Sequence, residues 1–178
     1  TLDALVRHAG VAGWEQRVVV GVPARDPAPE IGGLDSDRIH PLTFGPPPLD
    51  FAVPGMSDVM PYPSTVFGAM DDETVARYVE AWRDHLSAVI DSFRPDVIHT
   101  HHVWLMSSIV KNLAPSTPVV THCHATGLRQ MELCPHLAEE VQEKLAGLGE
   151  GESGLAGRLK RAIGKLVARS LPSAVDWI

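Results

Sequence analysis

Several things are scarce in this 178-residue chain, and each scarcity excludes something. There are two cysteines, Cys123 and Cys134, and no signal-peptide pattern, which suits a reducing cytoplasm better than a disulfide framework. No apolar run approaches the ~18 residues of a membrane-spanning helix. Basic residues are outnumbered, 15 against 22 acidic, for a formal charge of −7, which argues against a general polyanion-binding surface and hence against nucleic acid as a partner. Aromatic residues make up 6% of the chain. No Walker motif is present, so a nucleotide kinase has no motif support; nor is there a G-x-S-x-G elbow for a serine hydrolase.

What is present is unevenly placed. Ten of the 15 prolines lie between Pro23 and Pro63, and six of the nine histidines between His99 and His136. Residues 1–154 carry a charge of −11, and residues 155–178 one of +4. These shifts divide the chain into a body over 1–146, a flexible Gly-rich linker over 147–154 and a basic tail over 155–178.

Leu2–Gly10 has helical spacing, and Gly10 and Gly13 stop it. The apolar run in Arg17–Val22 suits a strand buried on both faces, and Ile39–Phe44 reads as a weaker strand. From Gly45 to Gly68 the prolines and glycines forbid long regular elements. Asp71, Asp72 and Glu73 then open a helix whose apolar face is Val75, Val79, Trp82, Leu86, Val89, Ile90 and Phe93, ended by Arg94-Pro95. Asp96–Thr100 is a short strand, Trp104–Leu113 is helix-compatible and Val119–His122 is another strand. That is a βαβ unit with parallel strands. The expected fold class is therefore α/β, a Rossmann-like parallel sheet flanked by helices.

Both histidine-bearing segments, His99–His102 and His122–His124, fall at the carboxyl ends of this unit's strands, where open parallel sheets bind ligands. Strand alternation turns His99 away from its neighbours, towards a packed or hydrogen-bonded core position. His101 ends its strand and is the better functional candidate; His102 and His124 are equally compatible with either role, and His122 reads as structural. Trp82 and Trp104 read as core anchors.

Pro95-Asp96-Val97-Ile98-His99-Thr100-His101, then Trp104, Leu105, Ser107 and Ser108, then Pro118-Val119-Val120-Thr121-His122-Cys123-His124-Ala125-Thr126-Gly127 resembles the amino-terminal half of a family 4 type retaining glycosyltransferase of GT-B fold. The resemblance spans roughly residues 1–142 and is strongest over 95–130. It implies sugar transfer from a nucleotide-sugar donor to an acceptor hydroxyl with retention and no required metal or other cofactor. It places His101 against the transferred sugar and donor phosphate as the catalytic-site histidine. His102, His124, Thr126 and Arg129 line the substrate, the segment His122–Arg129 forming a loop on the acceptor side. Arg129 would meet an anionic group through its planar fork. Ala125 and Gly127 stand where the family often has Gly and Asp, so that Asp's contacts do not carry over. The resemblance also implies a first strand and Gly-rich loop ahead of Thr1, and a carboxy-terminal donor domain as partner. The isolated chain is then half a cleft, expected not to turn over alone.

Two readings from other classes remain. Imidazoles at His101, His102, His122 and His124 suit a metal-dependent hydrolase, although no carboxylate follows either cluster until Glu132. An acceptor-binding subunit without catalysis is the other. In the tail, Leu155, Leu159, Ile163, Leu166 and Val167 form one stripe of a helix, and Arg158, Arg161, Lys165 and Arg169 another. Such a helix over 155–171 either touches an anionic surface at the inner face of the membrane, fitting a glycolipid acceptor, or packs its apolar stripe on protein.

Overall fold

In a computed structural model the described residues are 2–26, 29–57, 59–102, 104–122, 125–134 and 137. The linker and tail, together with Cys123, His124 and His136, lie outside them. The described chain is mixed α/β. Its elements are α1 (Leu2–Val11), β1 (Val18–Pro23), β2 (Ile39–Phe44), β3 (Pro54–Gly55), β4 (Thr65–Val66), α2 (Asp72–Phe93), β5 (Ile98–Thr100), α3 (Met106–Leu113), β6 (Val119–Thr121) and α4 (Ala125–Leu133). Strands pair in parallel twos: β1 with β2, β3 with β4, β5 with β6.

The long helix α2 organises the larger core. Its cap follows from the acidic start: the Asp71 carboxylate accepts the Thr74 N–H at 2.8 Å, and the Thr74 side chain first and this N–H second hold the carboxyl below the ordinary range. Val75, Val79, Trp82 and Leu86 are buried along one face, as the three- and four-residue spacing requires, with Tyr78 beside them. Arg94 ends the helix in the left-handed region at φ 50°, its N–H returning to the Ile90 carbonyl at 2.7 Å.

Against that face pack Phe44 from β2 and Phe67 and Leu49 from the proline-rich excursion, all nearly inaccessible. Phe67 makes an edge contact with Trp104 at 4.9 Å between centroids, tying the excursion to the segment after β5. Arg77 holds the same excursion from outside, pairing with Asp50 and donating to the Pro48 carbonyl at 3.0 Å. Both tryptophans are thus the core anchors expected of them, 6% and 4% exposed.

A smaller core joins α1 to the other face of the first strand pair, through Val6, Val18, Ile31 and Ile39. Gly32, at φ 60°, comes so close to α1 that its N–H donates to the Asp3 carboxylate at 2.6 Å.

Burial departs from expectation at β1. Only Val18 is buried; Val19, Val20 and Val22 are half-buried. The physical reason is an open slot between β1 and β5, a cavity of about 1440 Å³ lined by Val18–Gly21 on one side and Ile98–His101 on the other.

His40, in β2, supplies a pH prediction. Burial first, then the nearby Arg17 charge and His85, hold its imidazole below the ordinary 6.5, with Asp37 opposing them weakly. Its Nε2 is buried without a hydrogen-bond partner. A depressed histidine favours the fold in its neutral form, so this contribution is complete above about pH 6.5 and is lost as pH falls through the lowered value. Urea titrations of His40→Gln should therefore lose less stability than the parent on going from roughly pH 7 to pH 5.

Candidate functional site

The carboxyl ends of β5 and β6 are brought level by their register. Ile98 faces Val119, His99 faces Val120 and Thr100 faces Thr121. One further ladder bond, from the His122 N–H to the Thr100 carbonyl at 2.7 Å, carries the pairing past the strands and sets His122 beside His101.

Alternation then sorts the side chains. Thr100 points into the protein, 5% exposed, while His99 and His101 share the opposite face two residues apart. The rings of His99, His101 and His122 lie near one another, with centroids 4.9, 5.7 and 6.3 Å apart and planes within 12–26° of parallel. A neutral imidazole offers one donor and one acceptor nitrogen, so three of them suit an oxygen-rich polar ligand.

His99 is the correction here. It is exposed, not packed in the core, because this face of the β5–β6 pair is open: Val120 opposite it is 54% exposed and Val97 36%. Alternation assigns residues to faces but does not say which face is covered.

The covered face carries hydroxyls. Thr100 Oγ1 lies 2.8 Å from Ser107 Oγ and 2.9 Å from Thr121 Oγ1, Ser107 and Thr121 are 3.2 Å apart, and Ser107 donates to the His102 carbonyl at 2.6 Å. Residues from both strands and from α3 are thereby locked to the backbone that carries His101 and His102. Ser107→Ala should cost about 1–2 kcal/mol in denaturant unfolding, since the His102 carbonyl loses its donor while Thr100 and Thr121 keep each other. Lys111 Nζ donates to the Pro115 and Thr117 carbonyls at 2.8 and 3.1 Å, closing the turn between α3 and β6.

The acceptor-side segment is also corrected. Residues expected to form a loop belong to α4, so Thr126 and Arg129 stand exposed on a helix, three residues apart and on one face. Gln130 of that helix is 2% exposed; its Nε2 donates to the Met56 carbonyl at 3.4 Å, joining α4 to the proline-rich excursion, and its Oε1 accepts from Cys134 Sγ at 3.7 Å. His124 lies outside the described residues.

Sequence reasoning missed His99, Ser107, Thr121 and Gln130. A signal for Thr121 existed: Thr100-His101 and Thr121-His122 are the same dipeptide at the ends of two paired strands, which predicts two inward hydroxyls side by side. Among the described residues no group of three or more His, Cys, Asp and Glu side chains could hold a metal ion, and no helix is long and apolar enough to cross a membrane. No protein family, curated protein or solved structure matches the chain.

Proposed function

We propose that this chain is the acceptor-side, Rossmann-like half of a retaining glycosyltransferase of GT-B type. One observation supports the reading above the others: His101 and His122 stand side by side at the carboxyl ends of two parallel strands, backed by a fixed hydroxyl cluster. That is where open parallel sheets present ligands. It is also where the motif resemblance puts the donor sugar.

In this reading the reaction moves a sugar from a nucleotide-sugar to an acceptor hydroxyl through an oxocarbenium-like transition state. His101 donates a hydrogen bond to a sugar hydroxyl or the donor phosphate. His102 borders the same substrate, its backbone held by Ser107. Thr126 and Arg129 on α4 face the acceptor, Arg129 meeting an anionic group. His124 shares that role by resemblance alone. Most of the donor contacts come from a second domain, so the isolated chain binds substrate weakly and does not turn over; a cytoplasmic site of action, with the basic tail near the membrane surface, suits a glycolipid acceptor.

The test is a titration with uridine, guanosine and adenosine diphosphate sugars, read through the histidine ring signals in NMR spectra. Ring signals of His101 and His122 should shift for at least one donor while those of His8 and His85 stay, and His101→Ala should weaken that binding about tenfold, the worth of one lost hydrogen bond. Signals unmoved by every donor would sink the reading. Sugar transfer by the isolated chain would overturn only its dependence on a second domain.

A further inference from the structure

On the reading of this site as one that takes sugars, we propose that the acceptor is itself a sugar and that Tyr62 is the platform for its ring. The phenol ring meets the C–H face of a pyranoside whose hydroxyl edge is held by the imidazoles of His99 and His101. Tyr62 lies at the tip of the proline-rich excursion, between β3 and β4. It is 48% exposed and lines the same cavity as the two histidines. A pyranose is two-sided in a way that fits: hydroxyls project from the edge of its ring and C–H bonds from its faces. Imidazole nitrogens serve the first, and the negative face of an aromatic ring attracts the second.

Two contacts bring the tip to the histidine end of β5 and β6. Phe67, directly after β4, packs edge-on against Trp104, three residues beyond His101. Met56, directly after β3, accepts the Gln130 Nε2 bond from α4, the helix that follows β6 and carries Thr126 and Arg129. Both feet of the tip therefore stand against segments that leave the carboxyl ends of the strands, on the acceptor side. Trp14, also exposed and lining the cavity, stands ahead of β1 at its amino end.

The tip is built to hold the ring still. It folds back over Gly55, where an added Cβ would stand 2.6 Å from Met60 Cγ and 3.0 Å from Ser64 Oγ. Thr65 closes it, its Oγ1 donating to the Ala52 carbonyl at 2.7 Å and its N–H to the Val53 carbonyl at 3.3 Å. Pro61 fixes its own φ, and Pro63 confines Tyr62 to extended backbone. A tyrosine so placed has only two side-chain torsions left to order on binding. Asp58 is the one charged residue from Met56 to Thr65. The tip thus offers methionine, proline and tyrosine, a lining that suits the face of a sugar ring better than a phosphate.

The experiment titrates methyl glycosides of glucose, galactose, mannose and N-acetylglucosamine into the chain at millimolar concentration, with uridine, guanosine and adenosine monophosphates in parallel, followed by NMR. The chain has two tyrosines and Tyr78 is buried, so the Tyr62 ring signals are read against an internal reference. At least one glycoside should shift them together with those of His99 or His101, leave Tyr78 unmoved and show nuclear Overhauser contacts between its C–H protons and the Tyr62 ring. Tyr62→Ala should weaken that binding about fivefold, Tyr62→Phe should keep it within about twofold, and Trp14→Ala should leave it unchanged. The unfolding midpoint of Tyr62→Ala should match the parent's, which a merely structural role for the ring would not allow. Four outcomes overturn the proposal: Tyr62 unmoved by every glycoside, Tyr62 moved by the nucleoside monophosphates alone, Tyr62 moved without either histidine, or equal affinity in Tyr62→Ala. A nucleotide-sugar that moves His101 while no glycoside moves Tyr62 overturns this proposal alone. A glycoside bound at Tyr62 while no nucleotide-sugar moves His101 overturns the transferase reading alone.

Discussion

Trp82→Ala is expected to cost about 3–5 kcal/mol of folding free energy, the range for truncating a large buried aromatic side chain. The indole is 6% exposed and packs against the rings of Phe44 and Tyr78, at 6.2 and 6.3 Å between centroids. It also lines the slot beside β1, where a Cβ added to Gly21 would already meet it at 3.3 Å. Neighbouring side chains cannot collapse into the space the indole leaves, because that space opens into a larger one. The cost should therefore fall in the upper part of the range, a large share of the ~5–15 kcal/mol that holds a domain folded. Urea unfolding followed by far-ultraviolet circular dichroism checks it. A midpoint within error of the parent would mean that the indole is not packed as described. Val11→Ala, at a side chain 86% exposed, serves as the control and should stay within about 0.5 kcal/mol.

Gly32→Ala is expected to cost about 2–5 kcal/mol for two separable reasons. Gly32 sits at φ 60°, where a side chain costs about 1–2 kcal/mol. A Cβ there would also stand 2.4 Å from Val6 Cγ1, 2.6 Å from Val6 Cβ and 3.0 Å from the Arg7 nitrogen. Overpacking of this kind costs about 1–3 kcal/mol, and because two of the three obstructing atoms are backbone or next to it, α1 must move as a unit. That movement breaks the bond from the Gly32 N–H to Asp3, whose carboxyl is held below its ordinary range by Arg7 first and by this N–H second. A double-mutant cycle separates the terms. Val6→Ala removes the 2.4 Å contact and leaves the 2.6 Å one, so it should recover only part of the Gly32→Ala loss. Full recovery would show that the side-chain clash was the whole effect.

The sequence was most legible where local rules and tertiary packing agree. β2 falls on Ile39–Phe44 as read, and β1 and α2 within a residue of their expected starts, because valine runs, acidic helix starts and three-to-four spacing are signals contained in the segment itself. The parallel pairing of β5 and β6 followed from the strand–helix–strand order. Features that depend on what covers a surface were not legible. The valine run of β1 suits burial on both faces, yet the strand is half-open, since a cavity lies beside it. His99 has the spacing of a packed strand residue and is exposed, because its face of the β5–β6 pair is uncovered. α4 escaped notice because Thr126 and Gly127 are poor helix formers, and the segment's helical state rests on tertiary contacts such as Gln130 with the Met56 carbonyl. At the site, the pairing of His101 with His122 is a register effect, visible in the sequence only once both Thr-His pairs are aligned.

The hydroxyl cluster behind those histidines has a direction. Ser107 spends its only proton on the His102 carbonyl, so it can only accept from the threonines. Two protons remain for three contacts, and one contact must face oxygen to oxygen. If the longest, Ser107 to Thr121 at 3.2 Å, is that one, then Thr121 donates to Thr100, Thr100 to Ser107 and Ser107 to His102, over 2.9, 2.8 and 2.6 Å. The bonds shorten towards the site, as expected when each donor is polarised by the bond it accepts. β6 thus stands at the upstream end of a one-way relay of dipoles ending at the peptide of His102. A substitution at Thr121 would shorten that relay without interrupting it, whereas one at Ser107 disconnects it from the histidine loop altogether.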